Sequence, residues 1–115
     1  MQPLAQLLVV EDEPLVAETI VAVLKDEYEV STAPTVADAI RQLRDIEFNL
    51  VLLDCLLPDG DAAEIIAAAE AREVSVILMS GDIEHIATYS AHGLPFLVKP
   101  FSIEELLKTL RDVLT

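Results

Sequence analysis

Charged and hydroxyl side chains directly follow four of the short apolar runs in this sequence of 115 residues. They are Glu11 and Asp12 after residues 7–10, Asp54 after residues 50–53, Ser80 after residues 74–79, and Lys99 after residues 96–98. Carboxylates that cluster repel one another, so such a group requires a raised pKa, a bound cation, or both. Carboxylate oxygens completed by water suit Mg²⁺, which would attract an anionic phosphoryl group to the cluster.

These residue types can support phosphoryl transfer, a reaction that depends mainly on positioning and on neutralisation of charge. Asp54 would act as a nucleophilic carboxylate. Lys99 could neutralise one equatorial oxygen of the phosphoryl group, and Ser80 could donate a hydrogen bond to another. The chemistry requires these side chains to meet, which depends on the elements that carry them.

The apolar pattern predicts strands that alternate with helices. Continuous apolar runs predict strands buried on both faces at residues 7–10, 50–53, 74–79 and 96–98, and a weaker run predicts a further strand at residues 29–33. Helical spacing predicts helices within residues 14–26, 35–45 and 102–115. Pro14 suits a first helical turn, and Ser102 with Glu105 forms a capping-box pattern. Gly93, after His92, is typical of a helix end before the last strand.

The order βαβαβαβαβα predicts an α/β fold with helices on both faces of a five-stranded parallel sheet. Residues 1–115 are predicted to form one domain, because no linker-like stretch, repeat or low-complexity segment interrupts the pattern. Open parallel sheets bind ligands beyond the carboxyl ends of their strands. All four polar sets lie at such ends, so the fold would bring them to one edge of the sheet.

The composition argues against contact with nucleic acid or membrane. The formal net charge is −14, from 21 acidic and 7 basic residues, so phosphate backbones and anionic lipids would be repelled. Aromatic residues make up only 4%, which disfavours a base-stacking surface. No apolar run approaches the roughly 20 residues of a membrane span. The single cysteine, Cys55, excludes an internal disulfide and suits a small buried position, so we expect a cytoplasmic protein.

Four segments resemble, in order and spacing, the motifs of response-regulator receiver domains. They are residues 7–14 (LLVVEDEP), 51–61 (VLLDCLLPDGD), 76–81 (VILMSG) and 96–101 (FLVKPF). One segment alone would be a weak signal, but four in register cover essentially the whole chain. The resemblance implies a flavodoxin-like sheet of strand order 2-1-3-4-5, Mg²⁺ as the cofactor, and a phosphoryl group accepted on Asp54.

The resemblance also implies a set of metal ligands. Asp12 would bind the metal directly, and Glu11 would hold it through water. Asp54 would be a metal ligand as well as the phosphoacceptor, and Leu56 would offer its backbone carbonyl.

Phosphate binding and switching are implied for three further residues. Ser80 and Lys99 would contact the phosphoryl oxygens, and Ser80 and Phe96 would form the switch. Phe96 stands where the family commonly has Tyr, so we expect mainly a packing role for it. The implied partners are a histidine kinase or histidine phosphotransfer protein, and a downstream protein that reads the fourth helix, fifth strand and fifth helix. A homodimer stays open.

Other functions stay open on the sequence alone. A pseudo-receiver would bind a partner without phosphorylation, although retention of every site group argues against it. The chain could also be the receiver part of a larger regulator or hybrid kinase. A phosphatase of the haloacid dehalogenase type would need a second acid at Leu56, and no glycine-rich nucleotide loop is present. We therefore expect a signalling domain that catalyses only its own phosphorylation and dephosphorylation.

Overall fold

The computed structural model describes residues 3–89 and 93–115. The strands are β1 (Gln6–Val10), β2 (Glu29–Ala33), β3 (Leu50–Asp54), β4 (Leu56–Leu57), β5 (Gly60–Asp61), β6 (Ser75–Ser80) and β7 (Phe96–Val98). The helices are α1 (Pro14–Leu24), α2 (Val36–Asp45), α3 (Ala62–Ala71), α4 (Ile83–Tyr89) and α5 (Ile103–Leu114).

Five strands form one sheet in the order β2-β1-β3-β6-β7, and every neighbouring pair is parallel. The predicted α/β class and the order 2-1-3-4-5 are therefore confirmed, with β6 and β7 as the fourth and fifth strands of the main sheet. Each of the five predicted strands is present, with its ends shifted by at most one residue. The antiparallel pair β4 and β5 forms a short hairpin that the sequence analysis did not predict.

Both faces of the sheet are buried at the central strands β1, β3 and β6, whereas the edge strands β2 and β7 are partly exposed, and adjacent residues of a central strand enter different hydrophobic clusters. In β1, Leu8 and Val10 join the cluster beneath α2, α3 and α4, whereas Leu7 and Val9 join the cluster beneath α1 and α5. All four side chains are fully buried. Burial of each contributes roughly 1.5–3 kcal/mol, and burial on both sides explains why the strand is a continuous apolar run.

Local signals in the sequence fix several helix ends. Pro14 is the first residue of α1, as predicted. The capping box of α5 is also confirmed: the Glu105 amide donates to Ser102 Oγ, and the Ser102 amide donates to the Glu105 carboxylate. Gly93 has φ +80°, the left-handed conformation typical of a residue beyond a helix end. The residues between Tyr89 and Gly93, including His92, lie outside the described residues.

One edge of the sheet is strand β2. Its outward-facing carbonyl at Thr32 accepts a hydrogen bond of 2.8 Å from Nε2 of Gln42, a residue of α2.

Within residues 3–89 and 93–115, no helix has the length and apolar character needed to span a membrane.

Candidate functional site

The predicted site residues lie at the carboxyl ends of neighbouring strands. Glu11 is the first residue after β1 and Asp54 is the last residue of β3. Ser80 ends β6, and Lys99 follows β7 directly. The chain leaves β1 for β2 on one side and then crosses over to β3 on the other, so the strand order reverses here. Ligands of open parallel sheets bind at such a reversal, beyond the strand ends.

Three carboxylates form the centre of the site. Glu11, Asp12 and Asp54 each contribute one oxygen, and these oxygens lie within 4.8 Å of one another. Glu11 and Asp54 are buried, whereas Asp12 is exposed, so the cluster opens to solvent on the side of Asp12. Hard divalent cations prefer a cluster of carboxylate oxygens with room for water, so this donor set fits the cation that the sequence implied.

Lys99 links two of the carboxylates. Its Nζ donates to Oε1 of Glu11 at 2.5 Å and to Oδ2 of Asp54 at 3.3 Å. The other oxygen of Asp54, Oδ1, accepts a hydrogen bond of 3.0 Å from the Leu56 amide. Both oxygens of Asp54 are therefore held in position, one by a cation and one by the backbone.

Burial and charge shift the pKa values of this group. Burial raises the pKa of Glu11 to about 7, and the adjacent Asp54 acts in the same direction, while Lys99 opposes it. For Lys99, burial acts against the charged form, but the hydrogen bond to Glu11 and the charge of Asp54 leave its pKa raised. At neutral pH the ammonium is therefore charged, and Glu11 is balanced between its two protonation states.

The two residues predicted as the switch differ in their surroundings. Ser80 is buried, and its Oγ accepts a hydrogen bond of 3.0 Å from the Asp82 amide, directly before α4. Phe96 is 50% exposed, which is more than the expected packing role requires. It alternates along β7 with the buried Leu97, and β7 is an edge strand, so fewer elements cover Phe96.

The residues directly after Asp54 form the acceptor loop, residues 55–61, which contains the β4–β5 hairpin. Cys55 is buried as predicted, and burial raises the pKa of its thiol to about 11, with a smaller contribution from Asp54. The thiol is therefore protonated at neutral pH, as expected for a small hydrophobic residue. Leu56 lies in β4, and its side chain is exposed.

Asp59 has a role that the sequence analysis missed. Its Oδ1 accepts a hydrogen bond of 2.8 Å from the Val36 amide, and its Oδ2 accepts one of 3.2 Å from the Ala37 amide. These bonds hold the pKa of Asp59 below its ordinary value. The acceptor loop is therefore bonded to the first turn of α2. The sequence Pro58-Asp59-Gly60, a general turn signal, could have indicated the turn but not its partner.

Asp61 caps α3, and it also makes a connection to Tyr89 that the sequence analysis missed. Its Oδ1 accepts a hydrogen bond of 2.9 Å from the Ala63 amide, which caps α3, and one of 2.7 Å from the hydroxyl of Tyr89. The bond to Asp61 raises the pKa of Tyr89 to about 12. The acceptor loop is thus also connected to the end of α4, through residues 28 positions apart.

Comparisons with known proteins agree with the fold. The family model described as response regulator receiver domain matches residues 7–111. A crystal structure of a CheY-like receiver domain protein from Methanospirillum hungatei superposes with a TM-score of 0.88 at 26% identity, covering 96% of this chain and 94% of that one. The chemotaxis response regulator CheY4 of Vibrio cholerae gives a TM-score of 0.85 at 27% identity, covering 96% and 98%.

The chain belongs to the response regulator receiver domain family. Members of this family accept a phosphoryl group from a kinase within two-component signalling systems. A relative described as the probable transcriptional regulatory protein TcrX of Mycobacterium tuberculosis is 34% identical over 113 residues, covering 93% of this chain and 48% of that protein. The chain thus spans about half the length of the curated relatives it matches.

Proposed function

We propose that Asp54 accepts a phosphoryl group from a histidine kinase or a histidine phosphotransfer protein. One Asp54 oxygen forms a bond to phosphorus while the bond from phosphorus to the donor breaks, and the donor atom keeps that bond's electron pair. The observation that carries this proposal is the contact of Asp54 with Lys99 inside the carboxylate cluster. An ammonium 3.3 Å from the acceptor can neutralise charge that develops on the phosphoryl oxygens.

The same cluster is proposed to hold Mg²⁺. Asp12 and Asp54 would bind it directly, Glu11 through water, and Leu56 through its backbone carbonyl. When bound, the ion supplies charge that draws the donor phosphate to Asp54 and stabilises the transferred group. Glu11 must lose its proton to take part, and its pKa of about 7 makes that step dependent on pH near neutrality.

Ser80 and Phe96 are proposed to carry the signal outward. A phosphoryl group on Asp54 offers new acceptor oxygens, and a Ser80 hydroxyl that turns to donate to one of them would give up its hydrogen bond from the Asp82 amide. That bond holds the start of α4, so its loss would free α4 to shift and Phe96 to repack. A downstream protein would read the surface formed by α4, β7 and α5.

This protein has a surface beside the site that the proposed phosphodonor protein could contact. An apolar groove of about 530 Å³ lies between α1 and residues 99–101. Leu15, which lines the groove, is 78% exposed, and Lys99, which also lines it, contacts Asp54. A donor protein bound over this groove would bring its phosphohistidine toward the acceptor. The formal net charge of −14 disfavours nucleic acid as a direct partner of this domain.

Residues 1–115 are proposed to act as one domain, located in the cytoplasm, whose only catalysis is its own phosphorylation and dephosphorylation. A homodimer through α4, β7 and α5 would use the surface proposed for the downstream partner. In the longer relatives the corresponding segment covers about half the protein, so a receiver that works within a larger regulator is equally consistent with the site.

Incubation with a small-molecule phosphodonor and Mg²⁺, followed by intact mass spectrometry, tests the function. Wild-type protein should gain one phosphoryl group, which treatment with acid should remove, and Asp54→Asn should gain none. Asp45→Asn, which makes the same change at an exposed position at the end of α2, is the matched control and should be labelled like wild type. Full labelling of Asp54→Asn would refute the assignment of the acceptor.

A further inference from the structure

The amide of Cys55 joins the start of the acceptor loop to β6 by donating to the Met79 carbonyl at 3.0 Å, whereas side chains hold its β4–β5 hairpin to α2 and α4. This hairpin contains only two paired positions on each side, Leu56 with Asp61 and Leu57 with Gly60. An isolated hairpin of this size is not stable on its own. Its conformation must therefore be maintained by contacts to neighbouring elements.

Asp59 supplies the contact to α2. Both of its carboxylate oxygens accept backbone hydrogen bonds, from the amides of Val36 and Ala37, at the first turn of the helix. These amides have no partner within the helix itself, because the first turn of any helix leaves its amides free. Thr35 caps a different amide of that turn, that of Asp38, at 3.1 Å.

The hairpin also lies close against α2 at Gly60, the residue after Asp59. A Cβ atom added to Gly60 would lie 3.3 Å from Cγ2 of Val36 and 3.1 Å from Oε2 of Glu64. Such a distance is tighter than ordinary van der Waals contact, so the backbone of the turn and the side chain of Val36 are already closely packed. The turn therefore packs directly against the first residue of α2.

We infer that Asp59 is a positioning residue for the metal site, which fixes the hairpin on α2 and thereby holds Leu56 in place beside Asp54. The inference rests on the proposed function, in which the Leu56 carbonyl is a metal ligand. The Leu56 amide already donates to Oδ1 of Asp54 at 3.0 Å, so movement of the hairpin would disturb the acceptor carboxylate as well.

Calorimetric titration with Mg²⁺ at pH 8 tests the inference on the folded protein. Asp59→Ala should weaken Mg²⁺ binding by about tenfold, the lower end of the range for residues that orient metal ligands. Asp59→Asn retains one acceptor oxygen for the amides of α2 and should bind with intermediate affinity. If Asp59 acted only through its negative charge, the two variants would bind Mg²⁺ equally weakly.

Thr35→Ala is the matched control, because it removes a cap from the same helix turn and leaves the acceptor loop untouched. Its Mg²⁺ affinity should equal that of wild type, even though α2 loses a cap as it does in Asp59→Ala. Hydrogen exchange gives a second measurement: the amides of residues 56, 57 and 59–61 should exchange faster in Asp59→Ala but not in Thr35→Ala. Far-ultraviolet circular dichroism establishes that each variant is folded.

Three further results would overturn the inference, and they are distinguishable. Wild-type protein that does not bind Mg²⁺ would refute the proposed function and the inference together. Wild-type protein that binds Mg²⁺, with a folded Asp59→Ala variant that binds it equally well, would refute the role of Asp59 alone. Weakened binding in both Asp59→Ala and Thr35→Ala would also refute it, because a general loosening of α2 would then be sufficient.

Discussion

Replacement of Glu11 by Gln is expected to stabilise the metal-free protein at alkaline pH. Glu11 has a fully buried side chain, and its pKa rises from 4.5 to about 7 on folding. A group whose pKa is raised in the folded state contributes stability below its unfolded pKa, and this contribution is lost as the pH rises through the folded value. For Glu11 this contribution to stability is lost as the pH rises from 4.5 to about 7.

The expected magnitude follows from the two pKa values. Ionisation of Glu11 should cost the folded state about 3 kcal/mol by pH 8. Gln has nearly the same shape, keeps an oxygen that can accept from Lys99, and never ionises. The free energy of unfolding of Glu11→Gln should therefore match wild type at about pH 4.5 and exceed it by about 3 kcal/mol at pH 8.

Urea denaturation in the presence of a chelator, followed by circular dichroism across this pH range, measures the difference. Glu13→Gln makes the same change at an exposed position two residues away and should leave the pH dependence as in wild type. Parallel curves for wild type and Glu11→Gln would refute the reasoning, because they would mean that Glu11 is not the group whose ionisation opposes folding.

Two further predictions concern positions away from the carboxylate cluster. In a Tyr28→Phe background, phenol absorbance should show Tyr89 ionising at about pH 12, and Asp61→Ala should move that titration toward about 10, since it removes the acceptor of the Tyr89 hydroxyl. An unchanged titration would contradict the hydrogen bond. Glu73→Gly should raise the free energy of unfolding by about 1 kcal/mol, because Glu73 has φ +59°, a conformation that costs a residue with a Cβ atom. Denaturant midpoints measure this, and a lower midpoint would count against it.

The main sheet and the site were predictable because their signals are local. Each buried strand is a continuous apolar run, and its last residues mark where the polar side chains lie. Parallel strands all have their carboxyl ends on the same side of the sheet. That side therefore brings together the polar residues that follow them, which are Glu11, Asp54, Ser80 and Lys99. The sequence order of the motifs was sufficient for this step, and no long-range contact had to be known.

The connections of the acceptor loop were not predictable by the same means. Capping rules relate a side chain to its own helix, whereas Asp59 caps α2 from 22 to 23 residues away. The bond between Tyr89 and Asp61 depends on how α4 packs, which no local pattern specifies. Phe96 illustrates a related difficulty: an aromatic residue in a strand was expected to be covered, but β7 is an edge strand.

The bond from Gln42 to the Thr32 carbonyl has a consequence for how two molecules could meet. An edge strand exposes unpaired backbone groups onto which a foreign strand can add, and extended self-association often starts there. Gln42 occupies one such acceptor on β2, so an incoming chain would first have to displace an amide already bound. Gln42, a helix residue that has no part in the chemistry, therefore makes this edge of the sheet a poorer template for aggregation.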